Sequence, residues 1–115
     1  MRNDKDNLIV DLTFKFSLAI LEFCEGLERD KKYILARQLL KSGTSIGANV
    51  REAQNAESKA DFIHKLKIAA KEAEETEYWL MLCKESPHYP NPETILDELQ
   101  SIIRVISKII SSSKT

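Results

Sequence analysis

The sequence predicts a single all-α domain over residues 1–115, an antiparallel up-down-up-down four-helix bundle. Three observations lead to this fold class. Apolar residues recur at spacings of three and four in four separate segments, which is the period of an amphipathic helix. No segment shows the alternating period of a β-strand. The links between the segments are short, and short links join antiparallel neighbours in helical bundles.

The first helix is predicted to follow a polar and charged start, residues 1–7, which we expect to fray. Its apolar residues form one face of a helix. They are Ile9, Leu12, Phe16, Ala19, Ile20, Phe23 and Leu27. The stripe ends near residues 26–28. Because Asp is a favoured N-cap residue, we expect Asp30 to cap the second helix.

The second helix contains a conflict between helix propensity and periodicity. Its predicted stripe consists of Ile34, Leu35, Leu39, Leu40, Ile46 and Val50. Gly43 and Gly47 each cost about 1 kcal/mol in a helix interior, which favours a loop. The apolar spacing nevertheless continues through both glycines without a phase break. We predict one long helix from about Lys31 to about Asn55, in which small residues let a neighbouring backbone come close; a break at Gly43 is the alternative.

The third helix has a recognisable start. Ser58, with Asp61 three residues later, matches the capping-box pattern, and the helix is predicted from about Lys59 to about Lys84. Its stripe consists of Phe62, Leu66, Ala69, Ala73, Leu80 and Cys83.

Prolines then interrupt the chain over residues 86–92, because proline cannot continue a helix. Asn91 is the expected N-cap of the fourth helix, with Pro92 at its first position. The apolar surface of this helix is wide for a helix with one buried side. It consists of Ile95, Leu96, Leu99, Ile102, Ile103, Val105, Ile106, Ile109 and Ile110. The polar tail, residues 111–115, is expected to fray.

Charge composition argues against two classes of protein. Charged residues are 30% of the chain, yet the formal net charge is −1. That balance is typical neither of a strongly basic nucleic-acid binder nor of an acidic disordered tail. The charge is uneven, however, since residues 37–71 carry seven basic and three acidic side chains. A near-neutral protein with a basic middle can still present a local positive face.

Five basic side chains of this middle region are candidate contacts to nucleic-acid phosphates. They are Arg37, Lys41, Arg51, Lys67 and Lys71. Two pairs, 37 with 41 and 67 with 71, lie one helical turn apart. Phosphate contacts of this kind are mostly non-specific and sensitive to salt. Few aromatic residues lie between them, which argues against base stacking. Solvated basic side chains without a partner are the alternative.

No combination of residues specifies a reaction, a metal or a cofactor. His64 stands alone on a predicted helix and His88 lies in the proline-rich turn, without metal-binding partners at a suitable spacing. The Glu-x-x-His pattern that di-metal bundles carry on each of two helices does not occur within any predicted helix. Ser42, Thr44 and Ser45 have no evident general base nearby. We therefore expect a protein that is not an enzyme and has no cofactor, metal or small-molecule substrate.

The two cysteines and the N-terminus bear on location. Cys24 and Cys83 lie on or beside the predicted stripes and are interpreted as small buried hydrophobic residues; a disulfide is the alternative. Residues 1–7 are polar and lack the apolar core of a signal peptide. No apolar run reaches the roughly 18 residues of a membrane span. We expect a cytoplasmic protein that does not bind membranes.

A polar motif of Ser45, Asn49 and Glu52 lies beside the apolar stripe of the second helix. Polar groups next to a core need hydrogen-bond partners. One interpretation is solvent exposure or a local pair within the helix. The other is a buried polar network that reaches another helix or another subunit.

The segment from Ser45 to Ala53 resembles the hallmark of the 23S rRNA intervening-sequence protein family, Ser-Ile-x-x-Asn-(Ile/Val)-x-Glu-(Gly/Ala). The similarity continues more loosely over residues 9–110. One departure is Ala53, where many members have glycine. The resemblance implies an antiparallel four-helix bundle that assembles as a homopentamer.

A further bundle of similar kind is the accessory variability protein of diversity-generating retroelements, which is a basic pentamer that binds nucleic acid. Together these resemblances imply a scaffold associated with RNA or DNA, or with a ribonucleoprotein. The near-neutral charge of this chain weakens that implication, since affinity for nucleic acid depends on phosphate neutralisation. A protein–protein scaffold without a nucleic-acid role is the alternative.

Overall fold

Residues 7–114 are described by a computed structural model, and within that range the chain forms four α-helices. The helices are α1 (Leu8–Arg29), α2 (Tyr33–Ala53), α3 (Lys59–Glu85) and α4 (Glu93–Ser113). Packing joins α1 to α2, α2 to α3, α3 to α4 and α4 to α1, whereas no Cα atom comes within 8 Å of one on the diagonal helix. This is a four-helix bundle, as the sequence predicts. Its extents are 46 × 21 × 20 Å.

One continuous core runs through the bundle. Its largest fully buried aliphatic and aromatic side chains come from all four helices. They are Phe16, Ile20, Leu27, Leu39, Ile46, Val50, Leu66, Leu80, Leu99, Ile102 and Ile106. Burial of one such side chain contributes roughly 1.5–3 kcal/mol, so this cluster holds the four helices together.

The helix α2 is continuous through both glycines, so the prediction of one long helix is confirmed. Gly43 explains why the sequence tolerates the poor propensity. A Cβ atom at this position would lie 2.9 Å from two side-chain atoms of Ile20 on α1. The missing side chain therefore allows α1 and α2 to approach closely at their crossing.

The capping predictions have mixed outcomes. Ser58 caps α3 as predicted, because its hydroxyl accepts a hydrogen bond from the Asp61 N–H at 3.0 Å. The Asn91 carboxamide oxygen accepts from the Glu93 N–H at 3.0 Å, but Pro92 rather than Asn91 occupies the N-cap of α4. The boundary therefore lies one residue later than predicted.

The prediction that Asp30 caps α2 is wrong. Asp30 is the C-cap of α1, and α2 begins three residues later without a side-chain cap. The chain turns through Lys31, whose φ of 64° is left-handed. The Lys31 N–H donates to the Glu28 carbonyl and the Lys32 N–H to the Leu27 carbonyl, at 2.9 and 2.8 Å. This is a Schellman turn, which closes α1 and leaves no extended residue at position 30.

Three further positions differ from the predicted pattern. Ile34 is 80% exposed, although its spacing placed it on the core stripe. It lies two residues from buried Ala36, and on a helix of about 3.6 residues per turn that puts it on the opposite side.

Asn7, predicted to fray, caps α1 and donates to the Gln54 side chain at 2.7 Å. Residues 111–113, also predicted to fray, are helical, while residues 1–6 and 115 lie outside the described range.

Candidate functional site

The candidate phosphate-binding residues lie on the exposed surfaces of α2 and α3. All five are exposed: Arg37, Lys41, Arg51, Lys67 and Lys71. A hydrogen bond between residues 42 and 76 and an ion pair between residues 52 and 65 set the antiparallel register of the two helices. Lys67 and Lys71 therefore lie level with residues 46–50 of α2, whereas Arg37 and Lys41 lie toward the other end of the bundle.

Arg51 faces a different side of α2 from the lysines of α3. It lines a shallow groove between α1 and α2, together with Val10 and Phe14. Its neighbour Glu52 instead faces α3, where its carboxylate pairs with the Lys65 ammonium at 3.1 Å. The structure therefore keeps Lys67 and Lys71 together but separates Arg51 from them.

Acidic side chains interrupt the basic surface. Glu74 and Glu75 are exposed on α3, one turn after Lys71. Glu75 also accepts a hydrogen bond from the Trp79 indole N–H at 3.4 Å. The exposed basic charge of α3 at Lys67 and Lys71 is therefore local and does not continue unbroken along the helix.

The polar motif makes mostly local bonds. The Ser45 hydroxyl donates to the Lys41 carbonyl at 2.7 Å, and the Asn49 side-chain amide donates to the Ser45 carbonyl at 2.9 Å. Both side chains are half-buried and hydrogen-bond within α2. Glu52 alone reaches another helix, through its exposed ion pair with Lys65. The local interpretation therefore describes Ser45 and Asn49, whereas Glu52 reaches another helix through an exposed ion pair and not through a buried polar network.

A buried polar contact that sequence reasoning missed joins α2 to α3. The hydroxyl oxygens of Ser42 and Thr76 lie 2.9 Å apart, and both side chains are about 99% buried or more. The Thr76 hydroxyl also lies 2.8 Å from the Glu72 carbonyl oxygen. The signal was available, because Ser42 and Thr76 fall in the apolar spacing of their helices. Such a pair fixes the register of α2 against α3.

Two apolar surfaces remain exposed, and neither was predicted. The first, the α1 stripe, consists of Phe14, Leu18 and Leu21, which are 54%, 51% and 45% exposed. The second, the α2–α3 groove, has a volume of about 570 Å³. It is lined by Ile34, Leu35, Gln38, Trp79, Leu82, Ser86 and Tyr89. Side chains of this size are rarely left exposed in contiguous patches on a monomer, which marks both surfaces as candidate contact sites.

The two thiols are buried but cannot pair in this fold. Burial raises the pKa of both Cys24 and Cys83 to about 11, and the nearby Glu28 carboxylate adds to the rise at Cys24. Cys24 lies on α1 and Cys83 on the diagonal helix α3, so their Cα atoms are more than 8 Å apart. A disulfide needs a separation below about 7 Å, so the disulfide alternative would require movement of the backbone.

Within residues 7–114, no group of three or more His, Cys, Asp or Glu side chains is arranged to hold a metal ion. His64 and His88 are both exposed. In the same range, no helix combines the length and apolar character that crossing a membrane requires.

Comparison with known proteins identifies the family. The model of the 23S rRNA-intervening sequence protein family matches residues 5–112. A solved structure from Bacteroides thetaiotaomicron, described as a protein with unknown function from the S23 ribosomal protein family, superposes with a TM-score of 0.84. It is 41% identical in sequence, and the match covers 89% of this chain and 97% of that one. No curated protein matches the chain. The chain belongs to the 23S rRNA-intervening sequence protein family.

Proposed function

We propose that this protein is a cytoplasmic, homo-oligomeric four-helix scaffold that associates with structured RNA and catalyses no reaction. The observation that carries the RNA part is the pair Lys67 and Lys71, exposed one turn apart on α3. On this proposal the two ammonium groups contact neighbouring phosphates, since backbone phosphates dominate affinity for nucleic acid. Family membership points in the same direction.

Self-assembly, with a homopentamer as the expected form, is the second part of the proposal. The resemblance noted in the sequence implies it, and the exposed Phe14, Leu18 and Ile34 side chains support it. Burial of these side chains between copies would remove apolar surface from water. A small bundle of this size also gains stability when partners bind only its folded form.

The absence of catalysis is proposed on the surroundings of the hydroxyl groups. The Ser42 hydroxyl contacts Thr76, and the Ser45 hydroxyl donates to a backbone carbonyl. A serine nucleophile requires a general base within hydrogen-bond reach, and these contacts provide none.

A protein–protein scaffold without an RNA partner is the second candidate. Glu74 and Glu75 favour it, because these exposed acids lie one turn from Lys71 and would repel phosphates. The α1 stripe and the α2–α3 groove also serve protein contacts better than RNA contacts.

Fluorescence anisotropy with a labelled RNA hairpin, titrated across a salt series, separates the two candidates. We expect wild-type affinity to fall as salt rises. We expect the Lys67→Ala, Lys71→Ala double variant to bind more weakly, with its log–log salt slope reduced by roughly 0.7–0.9 for each lost phosphate contact.

The matched control removes two lysines elsewhere. Lys15 pairs with Asp11 on α1, and Lys108 is exposed on α4. The Lys15→Ala, Lys108→Ala variant has the same net charge as the test variant and should keep the wild-type slope. No binding by the wild-type protein at about 50 mM salt would reject the RNA proposal and favour the protein scaffold. Equal slopes for the two variants would reject the assignment to Lys67 and Lys71.

A further inference from the structure

We infer that the α1 stripe of one copy docks into the α2–α3 groove of a second copy, so that subunits join head to tail through two unlike surfaces. This inference rests on the proposed self-assembly and names the surfaces that would carry it. It predicts a contact in which each copy offers its stripe to one neighbour and its groove to another.

The α1 stripe has the form of a helix ligand. Phe14, Leu18 and Leu21 follow one another at spacings of four and three, so they share one side of α1. That side faces away from the core, since Phe16 and Ile20 are buried. The stripe is about 10 Å long, from the rise of a helix over seven residues. An apolar row at this spacing is what a helix presents to a groove.

The α2–α3 groove provides a receptor of similar length. Ile34 on α2 is 80% exposed and Leu82 on α3 is 43% exposed, and half-buried Trp79 lies between the two helices. The wall on the α3 side runs from Trp79 to Ser86, the residue that follows the helix, again over seven residues and about 10 Å. Trp79 and Tyr89 also line the groove, and these two residue types are typical anchors at protein interfaces.

Opposite charges flank the two surfaces, and this favours a second copy as the occupant. The α1 stripe is followed by three exposed acids, Glu22, Glu25 and Glu28, while Arg51 of α2 lies beside Phe14 at its other end. The groove has four basic residues on its α2 side, of which Lys31 and Lys32 precede the helix and Arg37 and Lys41 lie on it, and two exposed acids on its α3 side, Glu75 and Glu85. The stripe is therefore net acidic and the groove net basic, so contact between a stripe and a groove is favoured over contact between two like surfaces.

The ammonium group of Lys32 is held against the groove by an aromatic ring. Its ammonium lies 4.8 Å from the centre of the Tyr89 ring, and Tyr89 lines the groove. In the assembled protein, Arg37 and Lys41 then belong to the rim of a subunit contact. Lys67 and Lys71, which lie toward the other end of α3, stay available for RNA.

A contact between unlike surfaces has a distinct consequence for assembly. After the first contact the pair of copies retains one unused stripe and one unused groove, so addition continues until a ring closes. A variant with a damaged stripe keeps an intact groove, and a variant with a damaged groove keeps an intact stripe. The two variants should therefore form one contact between them and stop at a pair of chains.

The test uses Leu18→Glu to damage the stripe and Ile34→Glu to damage the groove, with mass measured by size exclusion and light scattering. We expect each variant alone to be a monomer at the chain mass of 13.1 kDa. An equimolar mixture should form a complex of twice that mass. Circular dichroism checks that both variants keep the wild-type helical signal; if one does not, Leu18→Gln or Ile34→Gln replaces it.

Leu8→Glu is the matched control. Leu8 also lies on α1 and is 59% exposed, but its position on the helix is off the stripe. This variant should keep the wild-type mass. Wild-type mass for either stripe or groove variant, or a mixture that stays monomeric, would overturn the inference while self-assembly stands. A monomeric wild-type protein would overturn self-assembly as well.

Discussion

At the scale of single residues, the turn between α1 and α2 depends on Lys31. Among the described residues it is the one non-glycine residue with a positive φ, at 64°. The left-handed region costs a residue with a Cβ atom roughly 1–2 kcal/mol. The Schellman hydrogen bonds to Leu27 and Glu28 hold the residue in this conformation. The structure therefore contains local strain that one substitution can relieve.

Lys31→Gly is expected to raise the free energy of unfolding by about 1 kcal/mol. Glycine adopts the left-handed region without strain, although its greater freedom in the unfolded chain offsets part of the gain. Urea unfolding at a fixed protein concentration measures the change. Lys31→Ala removes the same charge but keeps the Cβ atom, so it should bring no gain. Equal stability of the two variants would contradict the account.

The same residue shows where prediction from sequence stops. The preference of Asp for N-caps favoured Asp30, because nothing in local composition revealed a left-handed lysine one residue later. Ser58 was predicted correctly, since its cap depends only on residues within one turn of the helix. Local capping signals are therefore readable when the cap needs no unusual backbone conformation.

At the scale of helices, the crossing of α1 and α2 depends on Gly43. A Cβ atom there would lie 2.9 Å from Ile20, which is fully buried, so its side chain would have to shift against the surrounding core. Periodicity predicted the continuous helix correctly. It also predicted that a neighbour comes close, but only the packed structure identifies α1 as that neighbour.

Gly43→Ala is expected to lower the free energy of unfolding by up to about 2 kcal/mol. Overpacking costs about 1–3 kcal/mol, and the better helix propensity of alanine returns about 1 kcal/mol. Thermal or urea unfolding measures the change. In an Ile20→Ala background the obstacle is removed, so the same substitution should become stabilising.

Gly26→Ala provides the comparison on α1. A Cβ atom at Gly26 would meet only the Arg29 side chain, at an ordinary 3.7 Å. This variant should gain up to about 1 kcal/mol from propensity alone. If Gly43→Ala stabilised the protein as Gly26→Ala does, close packing of α1 on α2 would not be the reason for Gly43.

The arrangement of the helices also explains why the α1 stripe and the α2–α3 groove were not predicted. Apolar residues cover most of the circumference of α1, so the core stripe and the outer Phe14, Leu18 and Leu21 could not be separated by spacing alone. Ile34 and Leu35 are both on the predicted stripe of α2, but only Leu35 packs against the core. Which side of a helix faces the bundle is decided by the neighbouring helices, and a single helical pattern does not contain that information.

At the scale of the whole molecule, the fold was largely predictable and the site was not. Four periodic segments and short links are sufficient to specify a four-helix bundle. The candidate phosphate contacts depend on relative positions across α2 and α3, and the structure separates Arg51 from Lys67 and Lys71. Their role in RNA binding stays a prediction, as does the pentamer.

The molecule thus presents basic, acidic and apolar surfaces at different places, and assembly decides which of them remain accessible. Sedimentation equilibrium of the wild-type chain at micromolar concentration is the most direct test of the proposed self-assembly. We expect a single species with the mass of five chains of 13.1 kDa each. A species at the mass of one chain, unchanged as concentration rises, would contradict it.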